Sequence, residues 1–141
     1  MTLEDELRSA HEAFYRAFRE RDMAALEQLW AEEAPVACLH PGLGVLQGRA
    51  AVLRSWRGIL DHPKAPVLHS TNAHVSVLGT SAYVTCLAGR PGEPPRLVTT
   101  NVFTMERGRW RLVLHHCAPL APDALKRRDA RDPHEDPFRL N

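Results

Sequence analysis

No stretch of this chain is both apolar enough and long enough to span a bilayer, and no CxxC pair exists among its three cysteines, Cys38, Cys86 and Cys117. An odd number of thiols without paired spacing gives no disulfide framework. Free cysteines in a reducing compartment are expected instead, and with them a cytoplasmic location. The first ten residues, MTLEDELRSA, carry acids where a secretory leader needs basic and then apolar residues. Strong net charge is also missing: the formal value is +1, and the arginines are spread along the chain. That leaves no electrostatic reason to expect nucleic acid or a membrane surface as partner. The most informative shortage is of carboxylates. Between Ala34 and Met105 only Asp61 and Glu93 occur, one at a helix end and one in a proline-rich turn. Paired-carboxylate acid–base chemistry has no residues in that region to carry it.

What remains is ordinary globular composition, 44% hydrophobic and 25% charged over 141 residues, which suits one domain with a proper core. Arginine outnumbers lysine and proline is frequent, a composition of GC-rich bacterial genomes. Residues 3 to 20 place Leu3, Leu7, Ala10, Phe14 and Phe18 at steps of three and four, the signature of an amphipathic helix, with Thr2 as its cap. A second, shorter helix starts from Asp22 and ends before Pro35, and a third runs from about Gly48 to Asp61. The period then changes to two. Residues 67 to 78, 81 to 89, 96 to 105 and 109 to 117 read as four strands punctuated by Gly79, Pro91-Gly92 and Arg107-Gly108. Helices first and a meander afterwards imply an α+β domain over residues 1 to 120. Residues 121 to 141 form a charged, proline-broken tail, with Phe138 as the side chain expected to anchor it.

The stretch from Pro35 to Trp56 organises the remainder. A β-prone run from Val36 to Leu39 leads into His40-Pro41-Gly42, and a glycine-punctuated loop precedes the third helix. Alternation puts Val36, Cys38 and His40 on one side of the short strand. In the last hairpin, a two-residue turn at Arg107-Gly108 sets Met105 opposite Trp110, Phe103 opposite Leu112, Asn101 opposite Leu114 and Thr99 opposite His116. One face then carries Thr99, Asn101, Phe103, Trp110 and His116. The other carries Thr100, Val102, Thr104, Val113 and Cys117. A bulge would shift this register and exchange His115 for His116.

The chain resembles the nuclear transport factor 2-like superfamily, with its SnoaL-like and ketosteroid isomerase-like members. The likeness is carried by Leu29-Trp30, Cys38-Leu39-His40-Pro41-Gly42, Gly48 through Ser55-Trp56, and Trp110 through His115-His116, and it covers roughly residues 3 to 119. The resemblance implies a cone-shaped, cystatin-like fold, three helices on a strongly curved antiparallel sheet. It also implies that the strand end at His40 lies near a cavity mouth, close to Trp56 and the final strand. His40 and His116 are then the candidate acid–base pair, because imidazole titrates near neutrality. Cys38, Trp56, Thr99, Asn101, Phe103 and Trp110 are the candidate ligand-binding residues. The competing reading has His40 capping its turn and His116 bonded to Thr99 in a satisfied core.

Cys38, His40, His116 and Cys117 are permissible zinc ligand types, but no compact ligand pair occurs, so neither metal nor cofactor is expected. His11, His62 and His134 are expected to be solvated. The pocket aspartate of ketosteroid isomerase-like proteins and the acid–arginine–acid set of the fold's epoxide hydrolases have no counterpart here. Any chemistry falls to histidine: isomerisation, dehydration or hydration of a small apolar molecule. A non-catalytic ligand-binding or assembly module competes with this, since the ending also resembles the association domain of calmodulin-dependent protein kinase II. A homodimer through the Thr/Val face of the last hairpin is expected in either case.

Overall fold

The structure is a computed structural model that describes residues 1–125, so Phe138 and its expected anchoring role lie outside the described residues. Helix α1 spans Leu3–Glu20. The Thr2 hydroxyl accepts from the Asp5 N–H at 3.1 Å while the Asp5 carboxylate accepts from the Thr2 N–H at 3.1 Å, which satisfies two of the donors a helix start leaves unpaired. Helix α2, Met23–Leu29, begins on Asp22, whose carboxylate accepts from the Ala25 N–H. Helix α3 covers Arg49–Asp61. Among the described residues no helix is long and apolar enough to cross a membrane.

Six strands form one open sheet: β1 (Ala37–Leu39), β2 (Val45–Gln47), β3 (His69–Leu78), β4 (Ser81–Gly89), β5 (Leu97–Glu106) and β6 (Arg109–Pro119). Their order across the sheet is β2-β1-β6-β5-β4-β3. The four long strands follow the period-two segments. Strand β2 lies where the sequence shows only a glycine-punctuated loop; it is three residues long with both ends exposed, too short for alternation to register. The sheet is also not antiparallel throughout, because β1 runs parallel to β6. Parallel neighbours need a long connection, and here everything from β2 to β5 lies between them.

Helix α1 lies across the inner face of the sheet, where Leu7, Phe14 and Phe18 are buried with Leu26, Trp56, Val84, Phe103 and Leu112. Two charged side chains fix the segment that delivers β1 into this core. The Arg49 guanidinium donates to the carbonyls of Trp30 at 2.8 Å, Ala31 at 2.9 Å and Glu27 at 3.1 Å, where α2 leaves acceptors unpaired. The Glu106 carboxylate accepts from the backbone N–H groups of Glu32, Glu33 and Ala34 at 2.8–3.0 Å. Although its partial burial works against ionisation, these three donors hold its carboxyl below the usual range.

The β5–β6 hairpin turns through Arg107 and Gly108, both at positive φ (52° and 76°), as a two-residue turn matched to strand twist requires. Register near the turn is as expected: Met105 pairs with Trp110 and Phe103 with Leu112. The next pair is Val102 with Leu114, so Val113 is an extra, unpaired residue and β6 carries a bulge there. Beyond it every expected pairing moves by one. Asn101 stands opposite His115 rather than Leu114, and Thr99 opposite Cys117 rather than His116.

Candidate functional site

Between α1, α3 and the inner face of the sheet lies a cavity of about 230 Å³, whose surface is almost wholly apolar. Phe14 and Phe18 come from the helical stripe of α1, and Trp56 and Ile59 from the facing stripe of α3. Pro41 is the most exposed of the lining residues and marks the rim. Two imidazoles reach this space, those of His40 and His115.

His40 follows β1, whose alternation turns Val36, Cys38 and His40 inward. Its Nε2 lies 3.0 Å from the Ser55 hydroxyl oxygen. That hydroxyl donates its own proton to the Val52 carbonyl at 2.7 Å and so can only accept from His40. The proton of His40 therefore sits on Nε2, and Nδ1 keeps its lone pair. Cys38 Sγ lies 3.6 Å from the same Nε2, and Trp56 meets the ring edge-on at 4.9 Å between centroids. Burial lowers the pKa of His40, which keeps the ring neutral.

His115 is only 4% exposed and packs between Phe14 and Trp56, with ring centroids 4.9 and 5.4 Å away. Its Nδ1–H donates to Asn101 Oδ1 at 2.6 Å. Burial, reinforced by His40, His116 and His11, pulls its pKa down to about 3. Behind it the polar contacts continue into the core. Asn101 Nδ2 donates to His11 Nδ1 at 3.5 Å, and His11 Nε2 donates to Ser70 Oγ at 2.9 Å. Burial and the nearby Arg8 charge lower the pKa of His11 to about 4.

The placements of the expected residues divide into three groups. His40 and Trp56 line the cavity. Cys38, Thr99 and Asn101 are buried one layer behind it: Cys38 against His40, Asn101 against His115, and Thr99 donating to Cys117 Sγ at 3.6 Å. Phe103 and Trp110 are buried elsewhere in the core; the Trp110 indole N–H donates to the Leu3 carbonyl at 3.1 Å, under the start of α1. His116 is exposed on the outer face, because the Val113 bulge inverts the alternation of β6. The inward histidine is His115, and Cys117, expected on the outer face, lines the cavity instead. The expectation of a solvated His11 is also corrected. His11 continues the steps of four, three and four from Leu7 through Phe14 to Phe18, so the stripe itself held the signal that it is buried.

Burial raises the thiol pKa of all three cysteines, that of Cys38 to about 12, so none is a ready nucleophile. Burial also raises the Tyr15 phenol, which lies 3.5 Å from Cys86 Sγ.

The class defined by these features is an α+β domain with a pocket between its helices and one face of an open sheet. The SnoaL-like domain matches residues 7–122, and the chain belongs to that family. A candidate dehydratase of the NTF2-like family from Streptomyces avermitilis is similar at 35% identity and a TM-score of 0.74, over 84% of this chain and 96% of that one. A candidate calcium/calmodulin-dependent protein kinase type II association domain from Thiobacillus denitrificans is 33% identical with a TM-score of 0.68, over 81% of this chain and 94% of that one. A protein with a cystatin-like fold from Caulobacter vibrioides shares the fold at a TM-score of 0.72 with 14% identity, over 89% of this chain and 95% of that one. Among curated proteins, the F-box protein SKIP8 of Arabidopsis thaliana is 26% identical over 115 residues, 82% of this chain and 50% of the relative. The chain thus spans about half the length of that curated relative.

Proposed function

We propose that this chain binds a small, largely apolar molecule in the cavity between α1, α3 and the sheet. The observation that carries the reading is the pair of neutral imidazoles, His40 and His115, with ring centroids 6.4 Å apart at one otherwise apolar space walled by Trp56. Cavities of about 150 Å³ with apolar walls take up benzene, so about 230 Å³ suits a single substituted ring. Native and then denaturing mass spectrometry of the purified protein tests for a retained ligand, and toluene followed by Trp fluorescence tests for uptake. Leu97→Trp, which fills part of the cavity, is expected to abolish that uptake. Unchanged toluene binding in this variant would overturn the reading.

Histidine-based dehydration, hydration or isomerisation is the second reading, favoured by the 35% identity to a candidate dehydratase. His40 would then move the proton, because a pKa near 3 makes His115 the weaker base. The reading includes a two-fold dimer through the outer face of the sheet. Tyr83 and Val98 are exposed there, and Tyr83 is paired with Val102 in the ladder. Val102→Asp is expected to lower the mass seen by light scattering, and a wild-type monomer at micromolar concentration would count against the dimer.

A further inference from the structure

We propose that this cavity selects hydrogen-bond donors, taking the O–H or N–H of an otherwise apolar ligand onto Nε2 of His115, and that Asn101 and His11 are positioning residues that keep that nitrogen unprotonated. The inference deepens the small-molecule reading above and rests on it.

A neutral imidazole has one N–H and one lone pair, and which nitrogen faces a ligand decides what the ligand must offer. For His115 the decision is made by Asn101. Serine at the far end of the contacts cannot make it, because a hydroxyl donates or accepts equally well, whereas an amide has two chemically different ends. The observed lengths fix which end is which. The 2.6 Å contact to His115 suits N–H···O and is too short for N–H···N, while the 3.5 Å contact to His11 suits the weaker N–H···N bond. Asn101 Oδ1 therefore accepts from Nδ1 of His115, and Asn101 Nδ2 donates to Nδ1 of His11. The proton of His11 goes to Nε2 and on to Ser70, 2.9 Å away.

The protons shared from His115 to Asn101, from Asn101 to His11 and from His11 to Ser70 then all point away from the cavity. Asn101 is fully buried and His11 is 1% exposed, so water is not at hand to re-partner either if the amide turned over. His40 agrees with this polarity, since its proton is committed to Ser55 and its Nδ1 is also a lone pair. Each of the two imidazoles thus keeps one nitrogen as an acceptor. An alcohol, phenol or amine N–H finds a partner there, while a ketone or aldehyde of the same shape brings a second acceptor. The other donors of the wall are weaker or enclosed: Tyr15 is engaged with Cys86, the Trp56 indole N–H is buried without a partner, and Cys117, which accepts from Thr99, has only a thiol proton to offer.

The test compares ligands matched in shape: cyclohexanol with cyclohexanone, and benzyl alcohol with benzaldehyde, by calorimetry at neutral pH alongside toluene. The alcohols are expected to bind about tenfold more tightly than their carbonyl partners, the value of one neutral hydrogen bond. In parallel, ¹⁵N shifts of the His115 ring report its tautomer and are expected to show the proton on Nδ1. Asn101→Leu is expected to bring the alcohol preference to within about twofold and to mix the tautomers, and His11→Gln to do so more weakly; a merely structural role would leave the ring shifts unmoved. If Asn101→Leu does not fold, the wild-type shifts and the matched ligands still decide the matter. Equal affinities, a carbonyl preference, or a proton on Nε2 would overturn the proposal while toluene binding leaves the cavity reading standing. Failure of every probe, toluene included, would overturn both.

Discussion

His115 and His116 are adjacent in the chain, yet one ring is buried against Phe14 and Trp56 while the other is exposed on the outer face of β6. Their substitutions should therefore separate cleanly. His115→Leu keeps roughly the same bulk but leaves Asn101 Oδ1 buried without its donor, a loss of about 1–3 kcal/mol. His116→Leu is expected to stay within about 0.5 kcal/mol of wild type, as exposed substitutions usually do. Urea unfolding of the two variants checks the difference, and equal losses would mean that the inward ring has been misassigned.

The depressed pKa values make stability depend on pH in a definite direction. Burial keeps His115, His11 and His40 neutral in the folded chain, with His115 near 3 and His11 near 4, whereas the unfolded chain titrates near 6.5. Above about pH 6.5 the imidazoles are neutral in both states and stability is at its full value. As the pH falls below that, the unfolded state takes up protons that the folded state refuses, so stability declines down to the folded values near 4 and 3. Each unit of depression is worth about 1.4 kcal/mol, so the decline between pH 7 and pH 5 should reach on the order of several kcal/mol. Denaturation midpoints at the two pH values measure it, and His115→Leu should flatten the slope. A flat profile in the wild type would show that these rings are solvated.

Arg49 bonds three carbonyls around the end of α2 with its planar fork. Lysine keeps the charge but cannot place donors at all three. Arg49→Lys is expected to cost about 1–2 kcal/mol and to loosen residues 30–34, which lead into β1. Hydrogen exchange at the Ala31 amide, which donates to the Leu112 carbonyl at 2.9 Å, reports that loosening locally.

All three cysteines are free and buried, and burial raises each thiol above its ordinary pKa. In the native protein none should react with a thiol reagent on the timescale of minutes, and all three should react once denaturant is added. Rapid modification of Cys117 alone would instead mark the cavity as open to solutes the size of the reagent.

The legible and illegible parts of this fold follow from how each element earns its order. The stripe of α1 and the alternation of β3 to β6 are long, so periodicity alone placed them. Strand β2 and the parallel β1–β6 pair depend on contacts between distant segments, which leave no local pattern. The lining of the cavity is legible only in part. His40 and Trp56 follow from a strand end and a helix stripe, and both line the cavity. His115 required knowing of the bulge at Val113, and nothing about a valine within a run of β-formers announces an unpaired residue. His11 is visible in the stripe of α1, where an imidazole occupies a core position that its polarity disguises.

The extra residue at Val113 gives β6 something like a reading frame. Deleting it would leave His115 and Cys117 inside, opposite Asn101 and Thr99 as now, because Leu112 and Leu114 would then alternate without a break; drawing Val113 into the ladder instead would turn His115 and Cys117 outward and bring Leu114 and His116 inside. A chain one residue shorter between Leu112 and His115 should therefore keep the same side chains inside while losing the local bend and added twist of the bulge.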